Sequence, residues 1–184
     1  MKTYTLEICG LKRKLPIIPI SDELSIASFV ILGDTELVCR VAPELVKRLP
    51  EVDALVSAEA KGIPLIHEVS RIMGMNYIVA RKSVKAYMEN PVIVEVDSIT
   101  THGKQILCLN GIDVEKVKGK RVAIIDDVIS TGASVAAVEK LVKKAGGKIV
   151  AKAAILAEGD AVNRDDIIYL GTLPLFDREG NIIK

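Results

Sequence analysis

Two adjacent carboxylates followed by a run of small residues are the most chemically informative part of this sequence. Residues 122–134 read VAIIDDVISTGAS, in which Asp126 and Asp127 follow four apolar residues. The small residues after them carry hydroxyl groups or leave the backbone accessible: Ser130, Thr131, Gly132, Ala133 and Ser134. Backbone N–H groups at the start of a following helix would attract a phosphate there. The carboxylates would repel a phosphate and are better suited to accept hydrogen bonds from sugar hydroxyls, so the stretch predicts a pocket for a sugar 5-phosphate.

The surrounding pattern predicts the elements that position this stretch. Residues 121–125 form a buried strand that ends at Asp126, and a helical stripe runs from Val135 to Ala145. Further strands are predicted at 53–57, 77–80, 148–156 and 167–170, with a helix at 64–73. Continuous apolar strands separated by helices indicate a parallel sheet covered on both faces. We therefore expect an α/β fold, a three-layer sandwich that binds its ligand at the carboxyl ends of the strands.

Two regions depart from this alternation. Residues 92–96 and 105–109 are β-rich and have no helix between them, which indicates an antiparallel excursion within 83–109. The first part of the chain contains Pro16 and Pro19 in a mixed β-like pattern. We predict a small N-terminal hood at 1–50 and a core at 51–184 that carries a β-flap at 83–109.

Composition narrows the class of protein. The 184 residues include 25 basic and 24 acidic side chains, and this balance gives no reason to expect nucleic acid or an anionic membrane as a partner. No apolar run is long enough to span a bilayer, and no secretion signal is recognisable. Three cysteines without CxxC spacing suggest neither a disulfide framework nor a zinc site. We expect a cytoplasmic protein with reduced thiols.

Residues 122–134 resemble the 13-residue phosphoribosyl pyrophosphate (PRPP) signature of type I phosphoribosyltransferases in residue type and spacing. This resemblance implies that Asp126 and Asp127 hold the ribose 2- and 3-hydroxyls and that 130–134 hold the 5-phosphate. It also implies that family's sandwich, with a hood and a flexible flap. An ordinary strand, turn and helix with solvated aspartates is the alternative. A response-regulator receiver would place its acid pair after the first strand, and neither GxxxxGK[ST] nor GxGxxG occurs in the chain.

Two other loops resemble pyrophosphate-binding segments of the family. Residues 58–62 (AEAKG) are similar to the pyrophosphate loop of adenine enzymes and offer Ala60 and Lys61, although many strand-to-helix turns contain such residues. Arg81 and Lys82, directly after the 77–80 strand, resemble a basic pair of the adenine and xanthine enzymes. The alternative for that pair is simple solvation at a strand end. Lys85 is a further candidate on the same loop.

The flap is expected to exclude water from a ribosyl centre with oxocarbenium character. Adenine enzymes carry a glutamate, a tyrosine and a glycine where this chain has Thr101, His102 and Gly103. His102 could handle a proton near neutral pH, or it could be a solvated loop residue. Residues 98–100 instead resemble the flap of the xanthine enzyme. The resemblance thus gives Asp126, Asp127, Lys82 and His102 as catalytic candidates.

The base should bind beyond the acid pair. Val128 corresponds to an apolar residue that packs on the purine ring, and Phe29 is the candidate for the other ring face, with a core role as its alternative. Hypoxanthine and guanine enzymes usually have an aspartate at the position of Ser130, so this residue favours adenine or xanthine.

The resemblance as a whole implies a purine phosphoribosyltransferase, with adenine as the first choice of base and xanthine as the second. A regulator of the same fold that binds PRPP or a nucleotide without chemistry is the other hypothesis. Mg²⁺ would bind mainly through PRPP, with no metal ligands assigned to the protein. A symmetric homodimer is expected by resemblance.

Overall fold

The computed structural model describes residues 2–96 and 105–183. Its strands are β1 (Thr3–Ile8), β2 (Leu11–Pro19), β3 (Ser25–Ala27), β4 (Ala54–Ala58), β5 (Tyr77–Ala80), β6 (Val92–Val96), β7 (Gln105–Leu109), β8 (Arg121–Ile129), β9 (Lys148–Glu158), β10 (Ile168–Leu173) and β11 (Leu175–Phe176). Its α-helices are α1 (Thr35–Val46), α2 (Ile63–Met73), α3 (Gly111–Val117) and α4 (Ala133–Lys144).

The central sheet is parallel and has five strands in the order β10-β9-β8-β4-β5. One apolar layer packs α1, α2 and the N-terminal strands on one face, and a second layer packs α3, α4 and β7 on the other. The predicted three-layer α/β sandwich is confirmed. Because β8 is the middle strand, the loops that follow its neighbours β4 and β9 flank the residues at its carboxyl end.

The strand that carries the acid pair is longer than predicted. The sequence predicts that it ends at Asp126, whereas β8 continues to Ile129. Pairing with β9 explains the difference, because Val128 is opposite Leu156 and Ile129 is opposite Ala157. The two aspartates therefore lie within a strand held on one side by β9.

Local signals set the bounds of α2. Pro64 lies in its first turn, where a missing N–H costs nothing. The helix ends at Gly74, which has a φ of +66° and donates its N–H to the Ser70 carbonyl. The helix predicted at 64–73 therefore agrees with the observed bounds to within one residue. Within the described ranges, none of the helices has the length and apolar character needed to cross a membrane.

The N-terminal strands form a separate four-stranded sheet in the order β1-β2-β3-β11, so the chain's last strand completes it. From here on, the word hood means this sheet, which adds β11 to strands of the predicted 1–50 hood. Arg13 of β2 bonds to Asp34 at 2.7 Å, which ties the hood to the start of α1. Phe29 and Ile31, between the hood and α1, are buried in the same apolar layer as α2. The predicted boundary at residue 50 stays a prediction.

The predicted flap contains a two-stranded antiparallel hairpin of β6 and β7. Lys144 of α4 donates from Nζ to the Ile93 carbonyl at 2.9 Å, and Arg81 and Cys108 exchange backbone hydrogen bonds at 2.9 Å. These contacts attach the hairpin to α4 and to the end of β5. The residues between the two strands, 97–104, lie outside the described residues, and His102 is among them.

Candidate active site

A cavity of about 370 Å³ opens at the carboxyl ends of β4, β5, β8 and β9. It brings together these predicted residues: Phe29, Ala60, Lys61, Lys82, Asp126, Asp127, Val128, Ser130 and Ser134. Other predicted residues, all within the described ranges, lie outside its lining: Arg81, Lys85, Thr131, Gly132 and Ala133. The lining also includes Ala58 and Glu59 of the predicted 58–62 loop and Ser28 beside Phe29, together with residues that the sequence did not single out: Ile26, Ala27, Glu158 and Leu173.

Both carboxylates of the acid pair line this cavity. The Asp127 N–H donates to Asp126 Oδ1 at 2.9 Å, and Asp127 is only 6% exposed. Burial, followed by the neighbouring charge of Asp127, raises the pKa of Asp126 to about 7. The Ser134 hydroxyl hydrogen-bonds to Asp126, and this bond lowers the pKa of Asp126 against the larger effect of burial. Such a pair is suited to accept hydrogen bonds from two neighbouring hydroxyl groups.

The loop from Ser130 to Ser134 leads directly into α4. Gly132 has a φ of +82°, a left-handed conformation that glycine adopts without strain, and its carbonyl accepts the first helical bond from the Ala136 N–H at 2.8 Å. The N–H groups of the first turn of α4 therefore point toward the loop, as they do in helix-based phosphate sites. Although Thr131, Gly132 and Ala133 do not line the cavity, they lie between Ser130 and Ser134, which do.

Arg164 is a cation beside this loop that the sequence did not indicate. It follows a 3₁₀ turn (Gly159–Asn163) after β9, and its Nη1 lies next to Gly132. Its Nε and Nη2 both donate to Asp166 at 2.8 Å, and Lys152 also pairs with Asp166. Hydrogen bonding from Arg164 holds the pKa of Asp166 well below its usual range. Asp166 thus orients the guanidinium toward the loop.

Glu59 joins the two loops that resemble pyrophosphate-binding segments. Its Oε2 accepts the Lys82 N–H at 2.9 Å and lies 3.3 Å from Arg81 Nε. The backbone bond from Lys82 is the main reason that the pKa of Glu59 is lowered. This contact places Lys82 and the loop after β4 on the same side of the cavity.

Gly62 lets that loop pack against β8. A β-carbon at position 62 would meet the Ser57 hydroxyl and would lie 3.3 Å from Asp126 Oδ1. Only a residue without a side chain lets the backbone come so close to the acid pair. The glycine predicted to end the AEAKG loop is therefore needed for the shape of the cavity.

Two predicted cations make other contacts. The Lys85 Nζ donates to the Ser83 hydroxyl at 2.6 Å, and the Arg81 Nη1 donates to the Tyr87 hydroxyl at 3.2 Å. Neither side chain lines the cavity, in contrast to Lys82 and Lys61. The structure thus separates the predicted basic residues into a cavity-lining pair and a peripheral pair.

The side of the cavity toward β9, β10 and the hood is mainly apolar. Phe29, Val128 and Leu173 contribute hydrophobic surface there. Phe29 is 5% exposed and packs in the core, as its structural interpretation predicts. It also lines the cavity, and its contact with a base stays a prediction. This side is suited to a flat heterocycle, whereas the loops after β4 and β5 supply cations on the other side.

Glu158 is the carboxylate on the apolar side. It is 7% exposed and lies at the end of β9, directly after the Ile129–Ala157 pair. Burial raises the pKa of Glu158, while a hydrogen bond from Ser130 and the charge of Lys61 act against this rise. The sequence-based strand ended at Leu156, so this acid was not assigned to a strand end.

Comparison with known proteins identifies the family. A model of the phosphoribosyl transferase domain matches residues 40–174. A hypoxanthine/guanine phosphoribosyltransferase of Methanococcus voltae is 36% identical over 140 residues, which cover 76% of this chain and 71% of the relative. The enzyme of the same name from Methanococcus vannielii is 35% identical over 164 residues, covering 86% and 82%.

Solved structures show the same fold. The adenine phosphoribosyltransferase of Thermoanaerobacter pseudethanolicus superposes with a TM-score of 0.68 at 20% identity and covers 86% of this chain and 95% of that one. The adenine phosphoribosyltransferase of Saccharomyces cerevisiae gives a TM-score of 0.68 at 19% identity, covering 85% and 93%. With the family match over most of the chain, these findings confirm the resemblance seen at residues 122–134: this chain belongs to the phosphoribosyl transferase family, an enzyme class of the glycosyltransferase type.

Proposed function

We propose that this protein transfers the phosphoribosyl group of PRPP to a purine base and releases pyrophosphate. The observation that carries the proposal is the cavity in which Asp126 and Asp127 lie between the start of α4 and the cationic loops after β4 and β5. The names of the curated relatives support a purine as the acceptor.

Each part of the cavity has a role in this proposal. Asp126 and Asp127 accept hydrogen bonds from the ribose hydroxyls, while the loop 130–134 and the N-terminus of α4 hold the 5-phosphate. Lys61 and Lys82 neutralise the charge that develops on the departing pyrophosphate. Phe29 and Val128 enclose the base. Arg81 and Lys85 keep their predicted roles only as candidates outside the cavity lining. His102 lies outside the described residues, and its role stays a prediction.

Mg²⁺ fits this scheme as an ion that arrives with PRPP. It favours substrate phosphates and retains waters rather than using an all-protein cage. Among the described residues, no group of three or more His, Cys, Asp or Glu side chains is arranged to hold a metal. We propose that the ion would bind oxygens of the pyrophosphate and of the ribose. The ribose hydroxyls donate hydrogen bonds to the acid pair.

Different observations favour different purine bases. Ser130, in place of the aspartate usual in hypoxanthine and guanine enzymes, favours adenine or xanthine, with adenine as the first choice. The relatives at 35–36% identity are named hypoxanthine/guanine phosphoribosyltransferases, which favours a 6-oxopurine. Xanthine remains the second choice from the sequence.

The test is a spectrophotometric assay with PRPP, Mg²⁺ and each of adenine, hypoxanthine, guanine and xanthine. We expect turnover with at least one base and a strict requirement for Mg²⁺. Asp126→Asn should abolish turnover without unfolding the protein, whereas Asp22→Asn, at a side chain that is 99% exposed, should not change it. Tight PRPP binding without turnover of any base would instead favour the regulator.

The predicted homodimer and cytoplasmic location complete the proposal. Sedimentation equilibrium of the purified protein at micromolar concentration would give the oligomeric state directly. Fractionation of the source cells would give the location.

A further inference from the structure

The proposed reaction releases a proton that the cavity must accept. A purine carries this proton on an imidazole nitrogen, and it becomes acidic as the ring forms its new bond to the ribosyl carbon. Of the carboxyl groups that line the cavity, Asp126 and Asp127 are assigned to the ribose hydroxyls. Glu59 is occupied by the Lys82 N–H and Arg81. Among the described lining residues, Glu158 is the carboxyl group to which none of these roles is assigned.

The position of Glu158 suits a base rather than a phosphate. It is opposite Leu173 in the pairing of β9 with β10, and both residues line the cavity. The carboxylate would repel a neighbouring phosphate, whereas a heterocycle can pack against Leu173. The parallel pairing of β8 and β9 places Ser130 next to Glu158, because each residue follows a member of the Ile129–Ala157 pair. The Ser130 hydroxyl hydrogen-bonds to the buried carboxylate and also lines the cavity.

We propose that Glu158 accepts, through the Ser130 hydroxyl, the proton that the purine loses during phosphoribosyl transfer. This inference rests on the proposed function. The base nitrogen forms a bond to the ribosyl carbon, and the bond from that carbon to pyrophosphate oxygen breaks, with its electron pair leaving on pyrophosphate. The base N–H gives its proton to the Ser130 oxygen, and Ser130 gives its own hydroxyl proton to Glu158. The main-chain N–H of Ser130 stays available to bind the 5-phosphate.

The charges around Glu158 are compatible with this role. Lys61 is the cation whose charge acts on Glu158, and Asp126 and Asp127 are the acids on the neighbouring strand that line the same cavity. Burial raises the pKa of Glu158, which brings this carboxyl group closer to the pH at which a proton acceptor works best.

Glu158→Gln tests the proposal because glutamine keeps the size of the side chain and cannot accept the proton. We expect the single-turnover rate with PRPP and Mg²⁺ already bound to fall by about 100-fold, the usual contribution of a general base. The KM for PRPP should change little. Ser130→Ala should show a loss of the same kind. Glu115→Gln, at an exposed position on α3, is the matched control and should behave as wild type.

The pH profile separates proton transfer from a structural role. The wild-type single-turnover rate should rise with pH as Glu158 ionises, and this acidic limb should be absent in Glu158→Gln. Formate should partly restore the rate of Glu158→Ala, because it can accept a proton in the space left by the side chain.

An unchanged rate and acidic limb in Glu158→Gln, or an unaffected Ser130→Ala, would overturn the assignment of this relay while leaving the proposed function intact. A wild-type protein that turns over no purine would overturn both.

Discussion

The guanidinium of Arg164 lies over Gly132, in the space that a β-carbon at position 132 would occupy. Asp166 accepts hydrogen bonds from Nε and Nη2 of Arg164, so Nη1 is the nitrogen directed at the loop. Gly132 thus has two reasons to be glycine, its φ of +82° and the nearby cation. Together they place a positive charge beside the N-terminus of α4, where the 5-phosphate is proposed to bind.

Gly132→Ala should damage both stability and PRPP binding. The left-handed backbone costs a residue with a β-carbon about 1–2 kcal/mol, and the methyl group would displace Arg164. We expect a lower free energy of unfolding in urea and a higher KM for PRPP. Gly119→Ala is the control, since Gly119 has a φ of +72° but no atom within 4 Å of a β-carbon. An equal rise in the KM for PRPP in the control would contradict the role of the Arg164 contact.

Arg164→Ala should weaken PRPP binding by about 10- to 100-fold, because a charge-assisted hydrogen bond contributes about 1.5–3 kcal/mol. The KM for the purine should stay close to that of wild type, since Arg164 lies beside Gly132 and is not among the residues that line the cavity with Phe29 and Val128. Titration calorimetry with PRPP and Mg²⁺ gives the affinity. Arg178→Ala removes an exposed cation that lies 3.7 Å from Asp22, and it should leave the affinity unchanged.

Lys82→Ala and Lys85→Ala should differ, although three positions separate these lysines in the sequence. Lys82 lines the cavity, whereas the Lys85 Nζ is bonded to Ser83 at 2.6 Å. In the reverse reaction, from nucleotide and pyrophosphate, Lys82→Ala should raise the KM for pyrophosphate at least about tenfold, the effect of losing a contact worth about 1.4 kcal/mol. Lys85→Ala should have little effect. Equal losses in the two variants would show that Lys85 also reaches the substrate.

Asp127→Asn should stabilise the protein at high pH while removing activity. Because the pKa of Asp126 is raised to about 7 in the folded state, the folded protein binds more protons than the unfolded one between about pH 4 and 7. Stability is therefore lost as the pH rises through this range. Asparagine at 127 removes the charge next to Asp126, so the loss of stability with rising pH should be smaller than in wild type. We expect the free energy of unfolding at pH 8 to be about 2 kcal/mol higher in the variant.

Urea unfolding at pH 4 and pH 8 checks this prediction, with Asp22→Asn as a control that keeps the wild-type pH dependence. The advantage of Asp127→Asn should be absent at pH 4, where Asp126 is protonated in the folded state. A variant that is less stable than wild type at pH 8 would show that the hydrogen bonds of Asp127 outweigh the repulsion.

The sequence by itself determined the acid pair, the loop of small residues after it and the helices and strands that carry them. These features depend on neighbouring residues: the apolar run before Asp126, the small residues up to Ser134, and the proline and glycine near the ends of α2. Such short-range patterns act through backbone preference and hydrophobic periodicity, which are properties of the chain before it folds. The three-layer sandwich could therefore be predicted, and with it the edge of the sheet at which the cavity opens.

Only the tertiary structure decided which distant side chains join that cavity. Glu158 reaches Ser130 because β9 pairs in parallel with β8, Arg164 reaches Gly132 because the chain turns back after β9, and Glu59 bridges two loops through the Lys82 backbone. The same packing directs Lys82 into the cavity and leaves Lys85 outside it. Strand register and crossover connections set these contacts, and no local pattern encodes them, since they depend on how elements far apart in the chain meet at one edge of the sheet.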